Sequence, residues 1–583
     1  MIHISSEDKI DIEHHFKVSA GPGAGKTHWL VNHIKSTLKN SERLEKTRKI
    51  ACITYTNVAV ETILNRLGTQ SINQVEVSTI HSFLYCHVVK PYLFHIAEVF
   101  GVDFQKIKGH DNIKPKYTKV QSWLENHSMI EELKHPYTIK QLLMRQDNKQ
   151  ALFNWLSSTK YSFNSDLTLK LRGEDRKAQH LRNIIRTLEM DLLSYKKLYW
   201  QDGKIDHDDV LYFSYELIKR CPFILKVLSA KFPYFFIDEF QDTNPIQAKI
   251  VSLLAKEETI IGVIGDPAQS IYSFQGASIE DYLKFKIDNL SEYTITENRR
   301  SSNQIIDLLN EIRTDIVQTK FRNIDHDKPI LFIGNSTEAY SKILEIYGDD
   351  IFIQTLSRDN PTANSMKFAV DNSNLNTKLL VEFDSIDSND KRYGIIKTSM
   401  EALEFAKQGD YKNAIKIMSA NFSDYSEKEQ INKSVLILQK LIQIHETFFE
   451  KPLMEFYKLV KEDIKMSGFK KGPIQDFYNQ YSYKEVALCI NYKEDISQHR
   501  TIHKSKGDEF QNVLLIPDKI EFLTNPNLNE DEEHRIYYVG ISRAKDRLFV
   551  VIPKLLKKEQ KLIKSKFDFQ IIELEKEAQL IHA

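Results

Sequence analysis

Residues 20–27 read Ala-Gly-Pro-Gly-Ala-Gly-Lys-Thr, and few octapeptides constrain a chain so tightly. Gly21, Gly23 and Gly25 let backbone N–H groups converge on an anion with no Cβ in the way. Ala20 stands where this pattern usually begins with glycine, and Pro22 and Ala24 fill the intervening positions. Lys26 can reach the outer phosphates of a nucleoside triphosphate, and the Thr27 hydroxyl can ligate Mg²⁺. His28 follows in the first turn of a helix whose positive N-terminal end faces the anion. A chance lysine after a glycine-rich turn is the competing reading. The order of elements decides against it, because an apolar run at 16–19, the turn and a helical stretch at 26–38 follow in the required sequence.

Such a loop needs a second magnesium ligand and a base. Phe235-Phe236-Ile237-Asp238-Glu239 is an apolar strand ending in two carboxylates. Asp238 is the expected metal ligand, and Glu239 is placed to polarise an attacking water.

Around these motifs the chain alternates strand and helix. Strands are predicted at 16–19, 50–54 and 75–78 and helices at 26–38 and 57–67, spacing that argues for a parallel sheet covered on both faces. From about 88 to 220 charged amphipathic helical stretches take over, and strand signals return at 234–237, 259–264 and 292–296. The second half repeats the plan. Strands are predicted at 330–333 and 351–355, mostly helical sequence at 385–492, and strands at 500–503, 513–516 and 548–552. The fold class is therefore α/β, with two parallel-sheet domains that each carry a mainly helical insertion. The expected boundaries are 1–87 with 221–297 for the first domain and 88–220 for its insertion. The second domain takes 298–384 with 493–555, its reduced insertion 385–492, and a charged helix 556–583.

Bulk composition narrows the class further. At roughly 100–200 residues per domain, 583 residues make about three to five domains. Lys plus Arg and Asp plus Glu are both 80, so any attraction to nucleic acid must come from local potential. Four cysteines without a CxxC pair argue against a disulfide scaffold or structural zinc and fit a reducing cytoplasm. No apolar run approaches a membrane span, and residues 1–9 lack an apolar signal core.

Seven separated segments together resemble superfamily 1 helicases of the UvrD/Rep/PcrA kind. Thr54-Tyr55-Thr56-Asn57 with Arg66-Leu67, and Thr79-Ile80-His81-Ser82-Phe83, resemble two segments that lie along single-stranded DNA. Asp238-Glu239-Phe240-Gln241-Asp242 and Gly265-Asp266-Pro267-Ala268-Gln269-Ser270-Ile271-Tyr272 resemble the family's acidic motif and its γ-phosphate sensor. Asn298-Arg299-Arg300-Ser301 resembles NYRS. The stretch from Thr501 through His503 and Gly507 to Glu509-Phe510 resembles TxHxxKGLEF, and Tyr538-Val539-Gly540-Ile541-Ser542-Arg543-Ala544 resembles YVAxTRA.

The resemblance implies two RecA-like motor domains, ATP and Mg²⁺ as cofactors, and single-stranded DNA, or DNA with single-stranded ends, as partner. It implies catalytic roles for Lys26, Glu239, Gln269, Arg300 and the arginine finger Arg543. It implies nucleotide contacts from residues 20–28, Arg299, Arg300, Gly507, Glu509 and Arg543, and metal contacts from Thr27 and Asp238. DNA contacts are implied for Thr56, Asn57, His81, Phe83, Tyr272, Phe274 and His503. Translocation in the 3′→5′ direction is implied by resemblance alone. The chain is also similar in size and style to the helicase-like subunit of Gabija-type antiphage systems, which implies a partner nuclease and a DNA-sensing role.

The sequence departs from the family at several positions. Residues 1–19 hold no glutamine to read adenine, and Arg299 replaces the aromatic of NYRS. A guanidinium can also stack on a base. Gln275 stands in the FRGA segment, now Phe274-Gln275-Gly276-Ala277, and Asp508 replaces a leucine. The span 301–500 is short for a full-size repair helicase. Outside the motifs, Lys114, Lys116, Tyr117 and Lys119 form one basic cluster, and Arg172, Arg176, Lys177, Arg182 and Arg186 form another. These either track a phosphate backbone or form solvated helix faces. Lys196, Lys197, Tyr199 and Trp200 could reach DNA, with core packing the alternative for Trp200. Asp206, His207, Asp208 and Asp209 precede a helical run, where capping is a simpler role than metal binding.

Overall fold

The computed structural model describes residues 1–68, 73–129, 131, 136–174, 178–179, 181–370, 375–387, 389–422, 424–469, 471–491 and 497–574. The chain divides into two units. The first is Met1–Ser301, Arg313–Asn323 and Asn527–Arg535, and the second is Ser302–Ile312, Ile324–Pro526 and Ile536–Ala583. Arg176 and Lys177 lie outside the described residues.

The first unit is built on a seven-stranded sheet. Its order is Ile2–His3, Ser291–Ile295, Phe16–Ala20, Ile260–Gly265, Tyr234–Ile237, Ile50–Thr54 and Val75–Thr79, and every pairing is parallel. Period-two alternation sends Ile50, Cys52, Tyr234 and Phe236 into one core and Ala51, Ile53, Phe235 and Ile237 into another. Both faces are dry, which is why these strands read as continuous apolar runs. All strands point the same way, so the loops after Ala20, Ile237 and Gly265 emerge along one carboxyl edge, where ligands bind in open α/β sheets.

The first insertion is not a separate body. Trp123, Trp155, Leu188 and Trp200 share one core with Ile53, Ile237 and Val263 of the sheet. It also holds an antiparallel hairpin, Lys160–Phe163 with Leu169–Arg172, that the helical reading of this region missed. Tyr161, Phe163, Leu169 and Leu171 alternate with polar residues, a strand period too short to stand out among long helices.

The second unit has a six-stranded parallel sheet in the order His499–Thr501, Ile353–Ser357, Phe510–Ile516, Ala544–Ile552, Ile330–Ile333 and Gln570–Glu573. Its insertion packs around a core of its own, including Phe383, Leu403, Leu441, Phe456 and Tyr483. The charged helix expected at 556–583 is corrected: the helix covers only Lys557–Lys566, and Gln570–Glu573 then completes the sheet beside Ile330–Ile333. The basic residues of 557–566 masked the short strand that follows; residues past 574 lie outside the described residues. Among the described residues no helix is long and apolar enough to cross a membrane.

Candidate active site

The loop after Phe16–Ala20 turns through Gly23 and Gly25, at φ 71° and 79°, a left-handed conformation that costs glycine little. Gly21 is needed for space, since a Cβ there would sit 2.5 Å from Gln318 Nε2. The helix Lys26–Asn40 starts with no side-chain cap and no acidic residue in its first turn. Its N-terminal N–H groups and the positive end of its dipole therefore stay available to an anion. Lys26 is buried, and its Nζ donates to the Ala20 carbonyl at 3.3 Å. His28 is exposed and sits 3.2 Å from Glu7.

Thr27 Oγ1 donates to Asp238 Oδ2 at 3.2 Å. Burial, reinforced by Glu239 and opposed by Lys26, pushes the Asp238 carboxyl up to about 7. A hydroxyl and a buried carboxylate side by side form a hard oxygen pair, the kind Mg²⁺ takes when phosphates and waters complete its octahedron. Glu239 follows in the left-handed region, φ 54° and ψ 42°, a conformation worth roughly 1–3 kcal/mol of strain for a non-glycine residue. Its carboxylate accepts from Gln241 Nε2. Gln241 Oε1 in turn accepts from the Asp266 N–H at 2.9 Å, and Gln269 Nε2 donates to Asp266 Oδ2 at 2.6 Å. The expected base and the expected sensor thus lie on one hydrogen-bonded circuit. Gln241 was legible only as a motif letter.

The Asn298–Ser301 segment packs against the loop. Arg299 N donates to the Gly23 carbonyl at 2.9 Å, and Asn298 Oδ1 accepts from the N–H groups of Arg300 and Ser301. Gln318 joins this clamp, donating to the Pro22 carbonyl at 2.7 Å while its Oε1 accepts from Asn298 Nδ2. Sequence reading missed Gln318: it stands in no motif, and only the parallel pairing of Glu297–Asn298 with Thr319–Lys320 brings it here. The Arg299 guanidinium lies over the Phe321 ring at 3.9 Å, held by Glu7 and Glu297.

The expected DNA residues separate into groups. Thr56 caps the helix Asn57–Leu67, with Asn57 exposed beside it. Tyr272 stacks on Tyr55 at 4.8 Å and meets Phe274 at 5.9 Å, and Phe274 is 54% exposed. His81 packs near His207, and burial, reinforced by His207 and His110, lowers it to about 3, so it is neutral at ordinary pH. Phe83 is corrected: it is 1% exposed, wedged between Phe232 and Phe235 as core.

In the 196–200 cluster the core reading of Trp200 holds, and the DNA contact expected of Lys196 and Tyr199 is corrected. Lys196 is buried against Asp206 and Asp209, and Tyr199 and Trp200 are buried. Asp206 and Asp209 form a capping box on the helix His207–Arg220. Lys114, Lys116, Tyr117, Arg172, Arg182 and Arg186 are exposed, whereas Lys119 is tied to Asp202.

In the second unit, Phe510 pairs with Ala544, which sets the preceding Glu509 and Arg543 side by side. Glu509 is paired with Lys545 at 2.6 Å. The Arg543 guanidinium is buried and donates to the Val539 and Asp508 carbonyls and the Ser542 hydroxyl. Gly507 turns at φ 94°, and His503 lies in the short helix Ile502–Ser505.

A phosphate-binding loop and a strand-end Asp-Glu pair on a parallel sheet define a P-loop nucleoside triphosphatase. The family model of the UvrD/REP helicase N-terminal domain matches residues 6–289, and that of the UvrD-like helicase C-terminal domain matches 500–551. The chain belongs to the UvrD-like helicase family and is an ATP-hydrolysing helicase. It is 23% identical to Gabija protein GajB of Bacillus cereus (strain HuB5-5), over 91% of this chain and 92% of that protein. It is also 23% identical to ATP-dependent DNA helicase PcrA of Staphylococcus aureus, over 91% and 80%.

Proposed function

We propose that this chain is a Mg²⁺-ATP-driven motor that moves 3′→5′ along single-stranded DNA. The direction comes from the resemblance alone; the observation that carries the motor reading is a short segment: Gln269, on the circuit to Glu239, and the aromatics Tyr272 and Phe274 follow one another in a single loop. A change felt at the terminal phosphate therefore reaches a stacking surface through a few peptide bonds.

In this reading the uncapped helix end and Lys26 hold the phosphates. Thr27 and Asp238 would hold Mg²⁺, which when bound would supply positive charge against the negative charge developing on the phosphates. Glu239 accepts the proton of the attacking water, and its left-handed backbone fixes where that carboxylate starts. Gln269, Arg300 and Arg543 supply donors to the transferring phosphoryl group. Phe274, with Tyr272 behind it, offers a ring to an unpaired base.

A second reading draws on a relative of similar extent. GajB is covered over 92% of its length and PcrA over 80%, so the chain is similar in extent to a Gabija protein. On that reading it senses DNA ends, hydrolyses nucleotide and governs a partner nuclease in antiviral defence without processive unwinding.

Strand displacement with 3′-tailed, 5′-tailed and blunt duplexes separates the two. Unwinding of the 3′-tailed duplex supports the motor. Hydrolysis stimulated by all three without displacement supports the sensor, and no DNA effect on hydrolysis sinks both. Turnover of ATP against GTP tests what Arg299 does in place of an aromatic residue.

A further inference from the structure

The loop 266–273 is fastened at both ends, and each fastening lies next to a point where the chain passes from one unit to the other. At the first end, Asp266 is fully buried and its Oδ1 accepts from Arg313 Nη1 at 2.7 Å. Arg313, itself 2% exposed, also grips Asp315. It is the first residue after the helix Asn303–Ile312, where the chain re-enters the first unit. At the second end, Arg535 is 5% exposed, and its Nε donates to the Ser270 carbonyl at 2.6 Å. Its Nη1 donates to the carbonyls of Leu528 at 3.0 Å and Asn529 at 3.4 Å. Glu532 accepts from the Ser273 N–H at 2.9 Å and from the Ser273 hydroxyl. The helix Glu532–Ile541 that carries these two residues leaves the first unit after Arg535 and runs on to Ser542 and Arg543.

A buried arginine whose hydrogen bonds go to backbone carbonyls is a spatial fixture. Its planar fork needs several acceptors at set positions, and losing one leaves a desolvated charge underpaired. Here the acceptors belong to two segments, the sensor loop and residues 527–531. Ser270 is additionally bound, its Oγ donating to the Gln241 carbonyl at 3.0 Å, and Gln241 is the residue that holds Glu239. One side of the loop therefore answers to the nucleotide circuit, and the other to the start of a helix that continues into the second unit.

We propose that Glu532 and Arg535 are positioning residues that couple the sensor loop to the helix leading to Arg543, so that nucleotide and DNA affect each other's binding through Ser270 and Ser273. The inference rests on the reading of this chain as a nucleotide-driven DNA motor, and adds the part that transmits between the two ligands.

The test is linkage. Affinity for a fluorescein-labelled oligo(dT) is measured by anisotropy with and without a non-hydrolysable ATP analogue and Mg²⁺, in the wild type, Arg535→Gln and Glu532→Ala. Coupled sites change each other's affinity by about 5–150-fold. The wild type shows a ratio in that range, and both variants bind each ligand alone but bring the ratio close to one. Glu532 is only partly buried, so Glu532→Ala keeps the test open if Arg535→Gln fails to fold. Variants that fold and keep the wild-type ratio overturn the coupling role and leave the motor reading standing. A wild type that binds no DNA, or binds it with a ratio of one, overturns the coupling role, and the first of these also removes the motor reading.

Discussion

The two parallel sheets share a build and present their candidate site residues from opposite strand ends. In the first unit the chemistry follows the carboxyl ends of strands: the phosphate loop after Phe16–Ala20, Asp238 and Glu239 after Tyr234–Ile237, and Asp266 after Ile260–Gly265. In the second, Glu509 and Arg543 come before the amino ends of Phe510–Ile516 and Ala544–Ile552. The first edge offers an anion cradle, the proposed metal-ligand pair and the proposed base. The second offers a carboxylate and a guanidinium held on carbonyls. On this contrast the proposed nucleotide site belongs to the first unit, and the proposed catalytic role of Arg543 rests on the resemblance of its motif.

The sharpest way to break the contrast is to remove one cation from each edge. Lys26→Ala is expected to abolish hydrolysis and weaken nucleotide binding while leaving the thermal unfolding curve in place. Arg543→Ala is expected to lower turnover by about 10³–10⁵-fold, as for an arginine finger, with fluorescent-nucleotide affinity little changed. If Arg543→Ala lost binding and kept turnover, the division between the edges would be wrong. Next in size, Glu239→Gln removes the base and should slow single-turnover hydrolysis by about 10²–10⁴-fold without loss of nucleotide binding. Phe274→Ala should weaken oligo(dT) binding by about 1–3 kcal/mol, read by anisotropy, and unchanged affinity would remove this ring from the DNA track.

The smallest effect concerns Asp238 and pH. Its carboxyl is raised from 3.8 to about 7 by burial, so between those values the folded state holds a proton that the unfolded state has released. Stability contributed by the neutral form is therefore lost as pH rises from about 4 to 7 and stays lost above. Without Mg²⁺, Asp238→Asn should gain melting temperature over the wild type across that window. A constant gap from pH 4 to 8 would show that Asp238 does not carry the effect.

Much of the first edge was legible because its chemistry is local. A glycine spacing, a lysine and an apolar strand ending in Asp-Glu each act within a few residues of where they are written, and the strand periods around them are strong. What stayed hidden acts across distance. Gln318 reaches Pro22 through a two-residue strand pairing, Arg313 reaches Asp266, and Arg535 reaches Ser270; polar side chains in tertiary contacts leave no period to read. Phe83 shows the converse. Its motif placed it beside DNA, yet it lies on the buried side of a five-residue helix and packs into the sheet. The hairpin at 160–172 and the strand at Gln570–Glu573 were lost among charged helical sequence for the same reason that short strands usually are.

The most direct measurement is steady-state phosphate release from ATP and Mg²⁺ by the wild-type chain, with and without single-stranded oligo(dT). The account predicts slow release alone and a marked rise with DNA, because Gln269 and Phe274 share one loop. Equal release under both conditions would contradict it.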